Sequence, residues 1–195
     1  MPGDEDGTPR EAGPSPRHDD ALLAIRAAEG DEEAFEALVL RHGPRLLQLA
    51  TRLLGSPTEA EDAVQESFVS AWRKLPEFRR DARFGTWMHR IVTNRCLNLL
   101  RARPRVAGLD DVPEPAAPEY QVSPPRAVEG IAAVEDLTKA MEGLSAEQRV
   151  CWVLRELDDM PYESVAETVG ITTGAARARV FRARRHLMET MAAWR

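Results

Sequence analysis

Residues 162–188, YESVAETVGITTGAARARVFRARRHLM, read as two helices meeting at a tight turn. Pro161 favours a helix start just after it, Gly170 suits a left-handed stop, and Thr172 or Thr173 can cap the helix that follows. At about 100° per residue, Ala176, Val180, Ala183 and Leu187 form one apolar stripe of that second helix. The opposite side is expected to carry Ala178, Phe181, Arg182 and Arg185, with Arg177 beside them. A short helix, a glycine turn and a longer basic helix make a helix-turn-helix pattern. Arginines offer paired donors to guanine edges and phosphates, and a small residue among them allows close approach to a groove. Arg179 and Arg184 flank the apolar stripe and are expected to reach phosphates. A merely solvated basic helix is the competing reading, but an exposed Phe181 would suit a thymine methyl better than water.

Outward from this stretch, the charge alternates in blocks. Residues 170–195 hold six arginines against Glu189, a net of +5, and residues 76–103 hold seven arginines against Glu77 and Asp81, again +5. Between them, residues 131–169 hold nine acids against three bases, a net of −6. Two basic islands on a chain of net charge −6 point to two separate anionic contacts rather than one basic field. Ten of the fourteen prolines fall in residues 1–20 and 104–125, which bounds the folded parts. The expected organisation is a disordered acidic tail (1–20), a small helical domain (21–103), a flexible linker (104–130) and a second helical domain (131–195). The fold class is therefore all-α.

Local signals fill in the helices. Asp31 is an N-cap for a helix over 32–42, which Gly43-Pro44 should break before a second helix over 44–54 ends at Gly55. Ser56-Pro57 opens a helix to about Lys74, a loop follows over 75–85, and Thr86 starts a helix to about Arg103. Ser145 and Gln148 have capping-box spacing for a helix over 146–157.

Two surfaces of the first domain carry chemistry. In the helix 58–74, Val64, Phe68, Ala71, Trp72 and Leu75 form the apolar stripe, while Asp62, Gln65 and Glu66 stand on the far side, continued by Val69 and Arg73. That face is either solvated surface or a docking seam for a basic partner helix. The loop PEFRRDARFGTW, 76–87, interleaves Phe78, Phe84 and Trp87 with Arg79, Arg80 and Arg83. Aromatic rings stack on unpaired bases while arginines hold the backbone, although at least one ring should plug the core. Asn94, two turns into the next helix, can offer its amide to a flipped base.

AEDAVQESF (60–68), FGTWMHRIVTN (84–94) and the stretch Gly170–Arg184 together resemble the bacterial extracytoplasmic-function (ECF) sigma factors of RNA polymerase, in order and from about Asp19 to Trp194. The resemblance implies two helical domains, sigma regions 2 and 4, and a non-catalytic subunit that directs promoter-specific initiation. It implies that Asp62, Gln65 and Glu66 dock on the clamp coiled coil of the polymerase β′ subunit. Phe78, Arg79, Asp81, Arg83, Phe84, Trp87 and Asn94 would then capture the minus-ten strand. Thr173, Arg177, Ala178, Arg179, Phe181, Arg182 and Arg185 would face the minus-thirty-five element, with neighbouring acidic helices at the β flap. An anti-sigma factor is an implied partner. Arg80 departs from a glycine common in the loop, and Ala175, Ala176 and Ala178 replace the frequent Thr-Val and Ser, which removes hydroxyls from the reading helix.

Other classes fit poorly. No apolar run spans a bilayer or forms a signal peptide, so a cytoplasmic protein without membrane contact is expected. Cys96 and Cys151 lack metal or disulfide spacing, the four histidines are scattered, and no phosphate loop or nucleophile motif occurs, so neither an enzyme nor a cofactor or metal is expected. No further domain is expected after Arg195. An autonomous helix-turn-helix regulator leaves residues 58–103 unexplained, and a sigma mimic leaves the arginine-aromatic loop unexplained. The linker of about 26 residues reaches roughly 85 Å, beyond the roughly 70 Å of two DNA turns, so both readers can engage one promoter.

Overall fold

A computed structural model of the chain describes residues 16–78, 83–103 and 131–191. Every element among these is helical: α1 (Pro16–Ala28), α2 (Glu32–Leu54), α3 (Pro57–Lys74), α4 (Phe84–Ala102), α5 (Ile131–Glu142), α6 (Ala146–Trp152), α7 (Tyr162–Val169) and α8 (Thr173–Thr190). A 3₁₀ turn, Leu75–Glu77, follows α3, and a π-helical turn, Val153–Leu157, continues α6. The all-α expectation holds. The expected linker, 104–130, lies outside the described residues, as do 1–15 of the expected tail. The last residues of that tail belong to α1, which begins at Pro16.

The caps follow the chemistry of the sequence. Asp31 Oδ1 accepts from the amide of Ala34, Ser56 Oγ from Glu59 and Thr172 Oγ1 from Ala175. Ser145 and Gln148 close a reciprocal capping box. Gly55 and Gly170 end α2 and α7 in the left-handed conformation, at φ 73° and 77°.

Pro44 does not break the chain: α2 runs unbroken from Glu32 to Leu54 with Pro44 inside it. The apolar positions Ala34, Leu38, Leu46, Leu49, Ala50 and Leu53 keep one buried arc across the proline. Pro44 is exposed and Leu40, whose carbonyl loses its donor, is 71% exposed, so water can take the orphaned acceptor. Burial of one continuous stripe outweighs one missing hydrogen bond. A second difference lies at α4, which starts at Phe84 rather than Thr86, without a side-chain cap. Burial of the Phe84 ring draws the backbone into the helix two residues early.

Helix α2 packs against α1, α3 and α4, and α8 against α5, α6 and α7. Leu38, Leu53, Phe68, Met88, Val92 and Leu97 fill the first bundle, and Val150, Leu154, Val165, Val180 and Leu187 the second. Full burial of each such side chain contributes about 1.5–3 kcal/mol. The bundles also touch, because α4 packs on α6 and α7.

Candidate nucleic-acid interface

The outer face of α3 is as the periodicity implies. Asp62, Gln65, Glu66, Val69 and Arg73 are exposed, while Val64, Phe68 and Ala71 are buried. Trp72, expected in the buried stripe, is half-buried and packs at a tilt of 59° on Phe35, ring centroids 4.8 Å apart. A shallow groove runs along this face past Gln65, Glu66, Val69 and Arg73. Glu66 forms an ion pair with Arg95 of α4, which fixes its carboxylate near the end of the groove.

The three rings of the 76–87 segment form one cluster. Phe78 and Trp87 lie 4.7 Å apart at 34°, and Phe84 meets Trp87 at 5.9 Å and 55°. The rings differ in role. Phe84 is 2% exposed and rests against His42 at 5.4 Å, so it cannot stack on a base without unpacking. It is the core plug that holds Trp87. Phe78 and Trp87 are half-buried and present the accessible aromatic surface. Gly85 packs closely beneath them, since a Cβ there would meet the His42 ring at 3.0 Å. Arg83 is exposed at the start of α4, while Arg79 and Asp81 lie outside the described residues. Asn94 is half-buried one turn beyond the exposed Arg90.

On α8, Arg177, Phe181 and Arg185 are exposed and Arg182 and Thr173 are half-buried. Arg177 extends over the Tyr162 ring at 5.5 Å, and Arg155 lies 5.1 Å from the same ring. Arg185 pairs with Glu189 one turn on, at 3.3 Å. Three arginine and alanine expectations change. Ala178 is only 6% exposed, because α8 is gripped by α5, α6 and α7 and its buried arc is wider than one stripe. Arg184 bonds Glu156 at 2.7 Å, so it braces the bundle. Arg179 turns toward Cys151 and Glu147, and its Nη1 is buried without a hydrogen-bond partner. Neither is free to reach a phosphate in this conformation. The sequence signal was present: both flank Val180 and Ala183, and a neighbouring acidic helix claims such arginines first.

The thiols add no chemistry. Burial pushes Cys96 up to about 12 and Cys151 up to about 11, against weaker opposing effects of nearby arginines. Among the described residues no group of three metal-ligating side chains is assembled, and no helix is long and apolar enough to cross a membrane.

Ion pairs that the sequence reading did not anticipate join the two bundles, two of them through Arg90 and Arg101, which as part of a positive helix were expected to serve unpaired bases. Arg52 of α2 donates to Asp158 at 2.8 Å and to the Leu157 carbonyl at 3.4 Å, and His89 of α4 meets the other Asp158 oxygen at 3.3 Å. Arg101 donates to Glu147 at 2.8 Å, and Arg90 lies 3.8 Å from Glu167. Arg149 of α6 is 3% exposed and lies against Gly55. Its burial, with Arg103 nearby, depresses its pKa to about 10 although Glu142 and Glu59 oppose the shift.

These two bundles, with their acidic-polar groove and their arginine surfaces, are those of a sigma-70 type initiation factor. Residues 38–106 match the family model for sigma-70 region 2, and residues 135–187 that for sigma-70 region 4. The chain is 35% identical over 176 residues to the ECF RNA polymerase sigma-E factor of Salmonella typhimurium, covering 85% of this chain and 90% of that protein. It is 34% identical over 173 residues to the RNA polymerase sigma-H factor of Pseudomonas aeruginosa, with the same shares of 85% and 90%. Among solved structures it resembles CnrH in complex with the cytosolic domain of CnrY (TM-score 0.64, 29% identity, 90% of this chain and 98% of that one). It also resembles RpoE of Bartonella quintana in complex with the anti-sigma factor NepR (TM-score 0.60, 27% identity, 83% and 98%). The chain belongs to the ECF sigma factors, a family of non-catalytic initiation subunits that bind core RNA polymerase and direct transcription from promoters.

Proposed function

We propose that this sigma factor docks on the β′ clamp coiled coil through Asp62, Gln65 and Glu66 while its second bundle meets the β flap in the cytoplasm. Helix α8 reads the minus-thirty-five element with Arg177, Phe181, Arg182 and Arg185, and Thr173 sits at the end of the helix nearest the DNA backbone. The 78–87 segment, with Phe78, Arg79, Asp81, Arg83 and Trp87, captures a base extruded from the minus-ten element, and Asn94 lines its pocket. Phe84 supports that pocket from below. The observation that carries this reading is the exposed row Arg177, Phe181 and Arg185 on a helix fixed by the Thr172 cap and the Gly170 turn.

Energetically, extruding one base costs a few kcal/mol, and a ring stacked on it returns about 1–3 kcal/mol. Polymerase supplies the tethering that an acidic chain lacks on its own. An anti-sigma factor is a fitting regulator, since both structural relatives were solved with the partners named above.

Reconstituted transcription tests the reading. Core polymerase with this chain should initiate at defined sites of a genomic promoter library, and core alone should not; indifference to the chain would overturn the reading. Trp87→Ala should lower open-complex formation by about 5- to 100-fold while leaving polymerase binding unchanged. Equal loss of both would remove Trp87 from strand capture. Phe84→Ala is no substitute, because emptying a buried ring site costs about 3–5 kcal/mol of stability.

A further inference from the structure

The start of α4 has no local anchor. Arg83 stands at its N-cap position without a side-chain hydrogen bond, and its first turn carries no acidic residue. The ring cluster nonetheless depends on that turn, because Phe84 and Trp87 both project from it. Phe78 packs on both, 6.4 Å from Phe84 and 4.7 Å from Trp87. What holds the turn comes from α2. The His42 ring lies 5.4 Å from Phe84 at 52°, and its Cε1 and Nδ1 would be 3.0 and 3.2 Å from a Cβ at Gly85. Ring and glycine are in close contact, which leaves the turn no room to settle deeper.

His42 is held in turn by α1. Its Nε2 lies 3.0 Å from Asp20 Oδ2, and since a carboxylate only accepts, this nitrogen donates. The other oxygen, Oδ1, accepts from Arg41 at 2.5 Å. At the far end of α1, Arg26 donates to Asp31 at 2.8 Å, so the helix is tied to α2 and its N-cap at both ends. Helix α1 also packs on the 3₁₀ turn that leads into Phe78. Asp20 and His42 each keep only a fifth of their side-chain surface in water, so solvent screens this pair less than the exposed pairs elsewhere. We propose that His42, braced by Asp20, is a positioning residue for strand capture: it sets the depth of the first turn of α4, and with it the face that Phe78 and Trp87 offer to an extruded base. His42 acts through Phe84 and Gly85 and touches no DNA itself. A gap of roughly 0.5–1 Å already forfeits a quarter to a half of a ring's dispersion contact with a base, so a small sinking of the turn is enough. This role rests on the reading of Phe78 and Trp87 as base-capturing rings, and its test separates the two.

The experiment uses the full chain reconstituted with core polymerase on a promoter recovered from the genomic library. Permanganate reactivity of unpaired thymines reads strand opening, native gels read polymerase binding, and urea unfolding reads stability. His42→Ala should lower opening about 2- to 10-fold, the worth of an aromatic contact, with polymerase binding unchanged. His42→Gln, whose amide can still donate to Asp20, should recover most of that loss; recovery no better than alanine would overturn the brace. Asp20→Asn removes the charge and one acceptor but leaves the ring, and should lower opening in the same direction. It carries the test if His42→Ala fails to fold. A cycle with Trp87→Ala then separates positioning from general weakening. Adding His42→Ala or Asp20→Asn to Trp87→Ala should cost no more than Trp87→Ala alone, because the cluster they serve is already gone. Losses that multiply instead, or full opening in both single variants while Trp87→Ala is impaired, would overturn the positioning role alone. Normal opening by Trp87→Ala would overturn strand capture, and the positioning role with it.

Discussion

Gly55 and Thr93 show how single residues set the stability of the fold. Gly55 ends α2 at a positive φ, and a Cβ there would also come within 2.9 Å of Arg149 Nη2 and 3.3 Å of Thr138 Cγ2. Gly55→Ala should therefore destabilise by about 1–2 kcal/mol from backbone conformation alone, with a further cost from displacing the buried guanidinium, read in urea unfolding. Thr93 is fully buried on α4 and its hydroxyl has no hydrogen-bond partner. Replacing it by the isosteric valine removes that desolvated oxygen, so Thr93→Val should raise stability by about 1 kcal/mol, measured the same way. A loss instead would mean that the hydroxyl finds a partner in solution.

Helix α2 shows a conflict between local and long-range preference. A proline in a helix interior costs about 3 kcal/mol, yet α2 absorbs Pro44 because its buried arc is continuous and the orphaned Leu40 carbonyl faces solvent. Pro44→Ala should restore a hydrogen bond and remove a ring clash, less about 0.4–1 kcal/mol for the freer unfolded chain. A net gain of about 2 kcal/mol in thermal unfolding is expected. No gain would mean that the backbone has already relaxed around the ring. Helix α8 teaches the complementary lesson. Its apolar stripe was legible from spacing, but its packing against three helices buried Ala178 and drew Arg179 and Arg184 inward. The remaining exposed arginines, with Phe181, form the narrower surface proposed to read DNA.

The contact between the bundles also contains a carboxyl whose titration bears on it, Glu147. Burial pushes the Glu147 carboxyl up, but the hydrogen bond from Arg101, its own backbone amide and the charges of Arg101 and Arg179 outweigh it. Its pKa ends below the ordinary 4.5. A depressed carboxyl stabilises the folded, paired state above its unfolded pKa and loses that contribution as pH falls through the folded value. Scattering at low salt should thus show the compact chain at neutral pH and expansion on acidification below the ordinary carboxylate range. In Glu147→Gln the acid-induced expansion should shrink. An identical acid response in that variant would place the titrating group elsewhere.

Periodicity, caps and charge blocks were enough to define an all-helical chain, the helix-turn-helix, the exposed acidic-polar side of α3 and the aromatic-arginine segment, because each depends on neighbours within a few turns. Which of three rings is core, which arginines remain free, whether Pro44 interrupts a helix and where residues 131–169 find their counter-charges were settled by packing between distant segments. Spacing along one helix tells which side a residue faces. Only the neighbours that close over that side decide whether it meets water, a carboxylate or a core.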